Sequence, residues 1–411
     1  MYRTSAAFLG FFVTISLTPA LAAPAQAARD VPGARFSIAP SALPAPYATP
    51  AEAVSAERIG RPDAAALRLP SGFHANLFAA GLDSPRWLAV APNGDVFLSE
   101  PRSGKVTLLR DADGDGKAEK IVTFASGFAR PHGLAFHDGA LYVSDTRAVW
   151  RVQYKPGSLR GGETTRITRD GIGGSGNHWA TNIAFSPKGQ LFVAIGSAGN
   201  VDEEPLPRAS VQSVTAAGKL EIFASGLRNP VGIAFYPGTD DLYTVVNERD
   251  GLGDNLPPDY LTRIRKGDFF GWPYAYIGPH PDPDYGKKRP DLVKATKTPD
   301  VLFQAHSAPL GLVFYTGTQF PADYRGNAFV SLHGSWNRAN PTGYKIVRLK
   351  FRDGRPENAY ENFATGFRAG TGAPARVYGR PVGLAIAKDG SLLVADDTGK
   401  AVWRISYDGK K

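Results

Sequence analysis

Asn229-Pro230-Val231-Gly232-Ile233-Ala234-Phe235, followed by a turn at Gly238, is one copy of a pattern that recurs along the chain. The others are Ser84-Pro85-Arg86-Trp87-Leu88-Ala89-Val90 with Asn93-Gly94; Arg130-Pro131-His132-Gly133-Leu134-Ala135-Phe136 with Asp138-Gly139; Trp179-Ala180-Thr181-Asn182-Ile183-Ala184-Phe185 with Lys188-Gly189; Ala308-Pro309-Leu310-Gly311-Leu312-Val313-Phe314 with Gly317; and Arg380-Pro381-Val382-Gly383-Leu384-Ala385-Ile386 with Asp389-Gly390. Each copy runs from a loop into a short apolar stretch and then a glycine turn, which reads as a strand entering a hairpin. The first four copies are roughly 50 residues apart, the period of a propeller blade. The later gaps are longer and predict inserted loops.

Third strands are expected at 105–109, 149–153, 261–265, 344–349 and 401–406. Outer strands share a tail, Phe124-Ala125-Ser126-Gly127, Phe223-Ala224-Ser225-Gly226 and Phe363-Ala364-Thr365-Gly366. The same tail stands at Phe78-Ala79-Ala80-Gly81, before the first copy, where no hairpin precedes it. Residues 74–79 are therefore expected to pair with 401–406, which leaves no long unpaired edge between first and last blades. The expected fold is all-β, a six-bladed β-propeller over 67–411.

Composition agrees. The 411 residues are 43% hydrophobic and 21% charged, ordinary globular values. There is no Cys, so disulfides and Cys-based zinc sites are excluded. The net charge of +9 is scattered, without the basic runs of a nucleic-acid binder, and no nucleic-acid partner is expected. Arg3, the apolar stretch 7–17, and the Ala-x-Ala sites at Ala20-Leu21-Ala22 and Ala25-Gln26-Ala27 read as a signal peptide over 1–27. A periplasmic or secreted protein is expected, with no transmembrane segment. Residues 28–66 read as an Ala/Pro-rich irregular lead-in.

Loops preceding the inner strands should form one rim. Four of seven histidines fall there: His132, His178, His306 and His333. Histidine is the side chain best poised for proton transfer near neutral pH. Arg228-Asn229 and Arg380 open two further copies and suit an anionic ligand. The loop Asn247-Glu248-Arg249-Asp250-Gly251-Leu252-Gly253-Asp254-Asn255 is rich in oxygen donors and glycine, as calcium loops are. Elsewhere the rim is expected to be short of acids. Asp111-Ala112-Asp113-Gly114-Asp115-Gly116 begins like an Asp-x-Asp-x-Asp-Gly calcium loop, although position twelve is Val122, and is expected to be a peripheral structural site.

These segments together resemble the PQQ (pyrroloquinoline quinone)-dependent glucose/sorbosone dehydrogenase family, six-bladed propellers, over essentially residues 70–408. Asn177-His178-Trp179-Ala180-Thr181-Asn182 resembles the family's catalytic-base segment, which implies His178 as base. Gly226-Leu227-Arg228-Asn229-Pro230 resembles its Arg-Asn-Pro motif, implying that Arg228 stabilises developing charge and Asn229 contacts the quinone. Lys266-Gly267-Asp268-Phe269-Phe270-Gly271-Trp272-Pro273 resembles its structural Gly-Trp-Pro turn. The resemblance implies calcium at Asn247, Glu248 and Arg249, partly through main-chain carbonyls. It implies PQQ contacts from Arg380, His333, His306 and His132. His333-Gly334-Ser335-Trp336-Asn337-Arg338 resembles the sorbosone or pyranose dehydrogenase branch, which adds Arg338.

Three positions depart from the family: Asn177 for an acid, Val382 for a second arginine, and His333 for a lysine. The expected activity is oxidation of a sugar or a sugar-derived aldehyde or alcohol. No Cys-x-x-Cys-His haem attachment occurs, so electrons are expected to leave to a separate acceptor, a quinone or a cytochrome. Two other readings fit a propeller: a non-catalytic module binding a glycan or protein partner, and a calcium-dependent lactonase, which would need converging carboxylates.

Overall fold

The computed structural model describes residues 30–62, 67–174 and 176–410. The expected signal peptide lies outside them. The described chain is all-β apart from one short helix, Pro290–Ala295, and three single 3-10 turns. Among the described residues no helix is long and apolar enough to cross a membrane.

Six sheets follow one another along the chain. The first holds Leu88–Val90, Val96–Glu100, Lys105–Arg110 and Lys120–Ser126. The second holds Leu134–His137, Ala140–Ser144, Val149–Gln153 and Thr164–Arg166. Thr181–Phe185, Leu191–Ile195, Ser210–Val214 and Leu220–Ser225 make the third, joined in parallel by Asp268–Phe269. Asn229–Phe235, Leu242–Asn247, Tyr260–Ile264 and Val301–Leu302 make the fourth. The fifth is Pro309–Phe314, Ala328–Leu332, Lys345–Leu349 and Tyr360–Ala364, with Arg35–Phe36 on its outer edge. The sixth is Pro381–Ile386, Leu392–Asp396 and Ala401–Tyr407, completed by Phe73–Ala80 from the other end of the chain. That last pairing is antiparallel, with His74 opposite Ser406.

The second strands are almost wholly buried, completely so at Val96–Glu100 and Leu392–Asp396, whereas the outer strand Lys120–Ser126 is largely exposed. A strand covered on both faces by neighbouring sheets reads as a continuous apolar run, and these do.

The glycine in each Pro-x-Gly repeat has a steric reason. A Cβ on Gly311 would lie 2.3 Å from Val382 O, and one on Gly383 2.4 Å from Arg86 O. Only glycine lets adjacent innermost strands approach this closely. Hydrogen bonds then stitch every junction. Ser99 Oγ donates to His132 O at 2.7 Å and Ser144 Oγ to Thr181 O at 2.8 Å. Ser197 N donates to Arg228 O at 2.7 Å, and Asn247 Nδ2 to Pro309 O at 2.7 Å. Ser331 Oγ donates to Val382 O, and Gly383 N to Arg86 O at 2.9 Å. The last bond joins the sixth sheet to the first. Each stitch contributes about 1 kcal/mol net, but losing one strands a buried carbonyl at about 1–3 kcal/mol.

The lead-in is irregular yet tied down. Arg35–Phe36 pairs with Tyr360 and Glu361, and Glu57–Arg58 runs parallel to Arg376–Val377. Between them, Tyr47 N donates to Leu252 O at 2.8 Å, and Thr49 Oγ1 accepts from Asp254 N at 3.0 Å. The segment therefore braces the acidic loop that follows the fourth sheet's second strand. The longer gap there holds the insertion 265–300, which carries Asp268–Phe269 and the short helix.

Candidate active site

A pocket of about 440 Å³ opens where the third, fourth and fifth sheets begin. His178 and Asn200 enter it from the third sheet's loops, Arg228 and Glu248 from the fourth, and His306 and Trp336 from the fifth. Asn177, Asn247, Asp250, Asp259, Ala308 and Asn337 complete the wall.

His178 is half-buried. Its Nδ1 lies 3.0 Å from Ser197 O and 2.9 Å from Ser197 Oγ, while that hydroxyl donates onward to Gly199 O at 2.7 Å. Nδ1–H therefore donates to Ser197 O, which fixes the tautomer and leaves the Nε2 lone pair for a ligand. Burial, and after it the charge of Arg228, pushes the His178 pKa down to about 3. The ring is a neutral proton acceptor across the physiological range. Gly196 makes room: a Cβ there would meet Asn229 Oδ1 at 2.4 Å and His178 Cβ at 2.7 Å.

Arg228 is buried and held on three sides. Its Nε donates to Asn200 O at 2.8 Å, Nη1 to Glu248 O at 2.6 Å, and Nη2 to Asn200 Oδ1 at 2.9 Å and Asp250 Oδ2 at 3.1 Å. Trp272 of the Gly-Trp-Pro turn steadies the same Asn200 by donating to its carbonyl at 3.1 Å.

Carboxylates line the floor, so the expected acid-poor rim is corrected. Asp250 is shared between Arg228 and Asn337. Asp259 Oδ1 accepts from Glu248 N at 2.9 Å and its Oδ2 from Ala308 N at 2.8 Å. Glu248 Oε1 is buried with no partner. Burial pushes both Glu248 and Asp259 up to about 7. Among the described residues no arginine ion-pairs with either, so their charge is expensive in this wall.

The other sequence candidates separate. His306 stays with the pocket, bonded through Nε2 to Gly253 O at 3.0 Å and through Nδ1 to Asn337 at 3.1 Å. The Asn247 amide is spent on the stitch to Pro309, and its carbonyl accepts from Arg228 at 3.3 Å. The Arg249 guanidinium turns to Asp282, with Asp284 at 3.6 Å, so any part it has in the expected calcium site falls to its main chain. Arg338 is corrected as a cofactor contact, since it is buried on Ala305 O at 3.2 Å and Asn255 Oδ1 at 2.7 Å and does not line the pocket. Asn229 is buried beside His178's segment, its Oδ1 unpartnered.

A second, cationic cluster gathers around the sixth and first sheets. His333 Nε2 lies 3.0 Å from Asp397 Oδ2, which also accepts from Arg86 Nη1 at 2.8 Å. Arg380 donates to His333 O at 3.0 Å and Gly334 O at 2.8 Å. Burial and then Arg380 push His333 down to about 4. Burial alone would raise Asp397, but His333, Arg86 and Arg380 together hold it well below the usual carboxylate range. Trp179 lies under Arg86 at 5.5 Å. His132 is wholly buried between Trp87 and Trp179, with Nδ1 on Thr181 O at 3.1 Å. That packing corrects it from rim ligand to core residue.

Sequence reasoning missed Asp259, Asn200, Asn337 and Trp336 as pocket residues. Trp336 is 50% exposed, which no packing role requires. On the hairpin of the first sheet, Asp111, Asp113, Asp115 and also Glu119 bring one oxygen each within 4.8 Å of one another. Glu119 supplies the ninth loop position that the motif reading omitted.

The sequence pattern of the TrAA12-like family matches residues 67–259 and 289–408. An uncharacterized protein of Borreliella burgdorferi is 31% identical over 361 residues, covering 83% of this chain and 91% of its own. The pyrroloquinoline quinone-dependent pyranose dehydrogenase of Coprinopsis cinerea is 26% identical over 417 residues, covering 82% of this chain. This chain spans about half that relative's length, 54%. In the holo form, the PQQ domain of Coprinopsis cinerea pyranose dehydrogenase superposes with a TM-score of 0.70 at 21% identity, over 86% of this chain and all of that one. The calcium structure of the Trichoderma reesei protein of carbohydrate-active enzyme family AA12 gives 0.69 at 20% identity, over 85% of this chain. With its pattern matched over well over half its length, the chain belongs to the TrAA12-like family.

Proposed function

We propose that the chain is a dehydrogenase that oxidises a sugar with bound PQQ and calcium, on a six-bladed β-propeller formed by the six stitched sheets. The observation that carries this reading is His178: a neutral imidazole whose Nδ1 is tied to Ser197 and whose Nε2 is left to a 440 Å³ pocket. Family membership and the PQQ-dependent pyranose dehydrogenase relative supply the chemistry it would serve.

The residues fit both groups. Asn229 Oδ1, Glu248 Oε1 and Arg86 Nε are buried polar atoms with no hydrogen-bond partner among the described residues. A quinone bearing three carboxylates suits the cationic cluster, where Arg380 and His333 would hold it, with Asn229 and His306 at the pocket side. A hard cation suits Glu248 and the Asn247 and Glu248 carbonyls. When bound, PQQ supplies the two-electron acceptor and calcium a Lewis acid beside it.

The protein's own part is positional. His178 Nε2 removes the proton from a sugar hydroxyl or hydrate. Arg228, clamped by Asn200 and Asp250, keeps a fixed positive charge beside the reacting carbon. Trp336 offers an exposed aromatic face at the pocket mouth, on which a pyranose ring can stack. Electrons then pass to a separate quinone or cytochrome. The Asp111, Asp113, Asp115 and Glu119 hairpin holds a second, structural calcium. The mature protein is exported to the periplasm or secreted, which sequencing of the processed N-terminus tests.

The carboxylates on the floor favour one competing reading, a calcium-dependent lactonase. One assay separates the two. Protein supplied with PQQ and Ca²⁺ should reduce a dye with aldoses or sorbosone; hydrolysis of sugar lactones with calcium alone would favour the lactonase.

A further inference from the structure

Arg130 opens the second copy of the repeat, and its side chain has been given no role so far. It sits in the loop that opens the second sheet, at φ +56°, a left-handed backbone that an arginine seldom adopts. Both sides of the loop are pinned: Ala129 N donates to Asp145 Oδ2 at 2.8 Å, and His132 N to Ser144 O at 2.8 Å. Strain of this kind persists only where the surroundings enforce it, and it gathers at ligand sites.

The guanidinium is exposed, yet it is not loose. It lies over Trp179, 4.0 Å from the ring centre, and Trp179 directly follows the proposed base His178. Among the described residues it has no hydrogen-bond acceptor and no carboxylate partner. Its charged neighbour is another cation, Arg86, which also overlies Trp179 and spends one nitrogen on Asp397. Burial and then Arg86 both work against the Arg130 charge. An ordinary surface arginine would swing toward water or an acid. This one is held over an aromatic ring that it shares with a second cation.

We propose that Arg130, braced on Trp179, receives a carboxylate at the rim, and so gives the enzyme a subsite for an acidic sugar. The inference rests on the dehydrogenase reading for its substrate class, but not for the anion itself. A planar guanidinium binds a carboxylate through two parallel bonds, which a neutral hexose lacks. The same chemistry could come from a carboxylate of PQQ, and the experiment separates the two sources.

The test uses the full mature protein with PQQ and Ca²⁺, as wild type, Arg130→Gln and Arg130→Lys. Arg130 is exposed, and glutamine keeps its length, so folding is retained. kcat/KM is measured for glucuronate and galacturonate against glucose and galactose, and binding of hexuronate and of PQQ is followed by calorimetry. With a substrate carboxylate at Arg130, the uronates lose roughly 10- to 100-fold in Arg130→Gln. The neutral hexoses hardly change, and Arg130→Lys recovers part of the loss. With a cofactor carboxylate, PQQ affinity falls instead and all sugars suffer alike. If Arg130→Gln alters neither uronate nor PQQ binding, the proposal is overturned. Absence of turnover with any sugar in the wild type would sink the dehydrogenase reading alone, because calorimetry still decides the anion site.

Discussion

Two groups of acids on this molecule look alike in composition but differ in burial and in whether every oxygen has a partner. On the first sheet's hairpin, Asp111, Asp113, Asp115 and Glu119 sit in water, and their oxygens already accept backbone amides: Gly114 N at 2.7 Å, Asp115 N at 3.0 Å, Lys117 N at 2.8 Å and Ala112 N at 2.6 Å. On the pocket floor, Glu248 and Asp259 are buried, and Glu248 Oε1 has nothing to accept. The hairpin is built to keep its turn whether or not a cation arrives. The floor keeps a desolvation cost that a ligand can relieve. The proposed chemistry therefore needs the floor and His178, and the hairpin is expected to serve stability alone.

The strongest way to break this comparison is at the base. His178→Ala should lower kcat by roughly 10²–10⁴-fold while PQQ titration of the apoprotein stays unchanged; an unaltered rate would remove His178 from the chemistry. Next is the floor. Glu248→Gln keeps the shape but removes the charge, and should weaken the calcium that supports turnover by about 10²-fold or more, read as the Ca²⁺ concentration giving half activity. A smaller effect lies in the pH profile. With a pKa of about 3 in place of the usual 6.5, His178 is unprotonated down to moderately acid pH. Its protonation should therefore put no acid limb near pH 6.5 in kcat/KM, and an inflection there that vanishes in His178→Ala would contradict the assignment. By the same shift, the stability this residue contributes is present above 6.5 and declines as pH falls toward 3. Smallest is the hairpin: Asp111→Asn should cut the calcium-induced rise in Tm by about 1–2 °C, with its effect confined to stability.

The comparison also explains what the sequence could reveal. The hairpin is a local motif, and three of its four acids are legible from spacing alone. The inner strands were equally legible, because the Pro-x-Gly pattern of four of the six copies records a steric demand at sheet junctions, seen at Gly311 and Gly383. The tail Phe78-Ala79-Ala80-Gly81 pointed correctly to the pairing of Phe73–Ala80 with Ala401–Tyr407. Less legible were Thr164–Arg166, which is exposed and lacks that tail, and Val301–Leu302, which an insertion of more than thirty residues separates from its sheet.

In the site, loop position was a partial guide. It singled out His178, Arg228, Glu248 and His306, which line one pocket. It could not tell that His132 packs between two tryptophans, or that Arg249 and Arg338 point away, because side-chain direction in a loop is set by partners distant in sequence. Asp259 carried no signal at all; it lies at the edge of a third strand, and only the fold brings it under the pocket.

The measurement that bears most directly on the account is dye reduction by the purified protein, with and without PQQ plus Ca²⁺, across aldoses, sorbosone and hexuronates, with His178→Ala beside the wild type. The account predicts turnover that needs both additions and collapses in His178→Ala. Turnover that needs neither addition, or no PQQ-dependent turnover together with no spectral change when PQQ and Ca²⁺ are added, would contradict it.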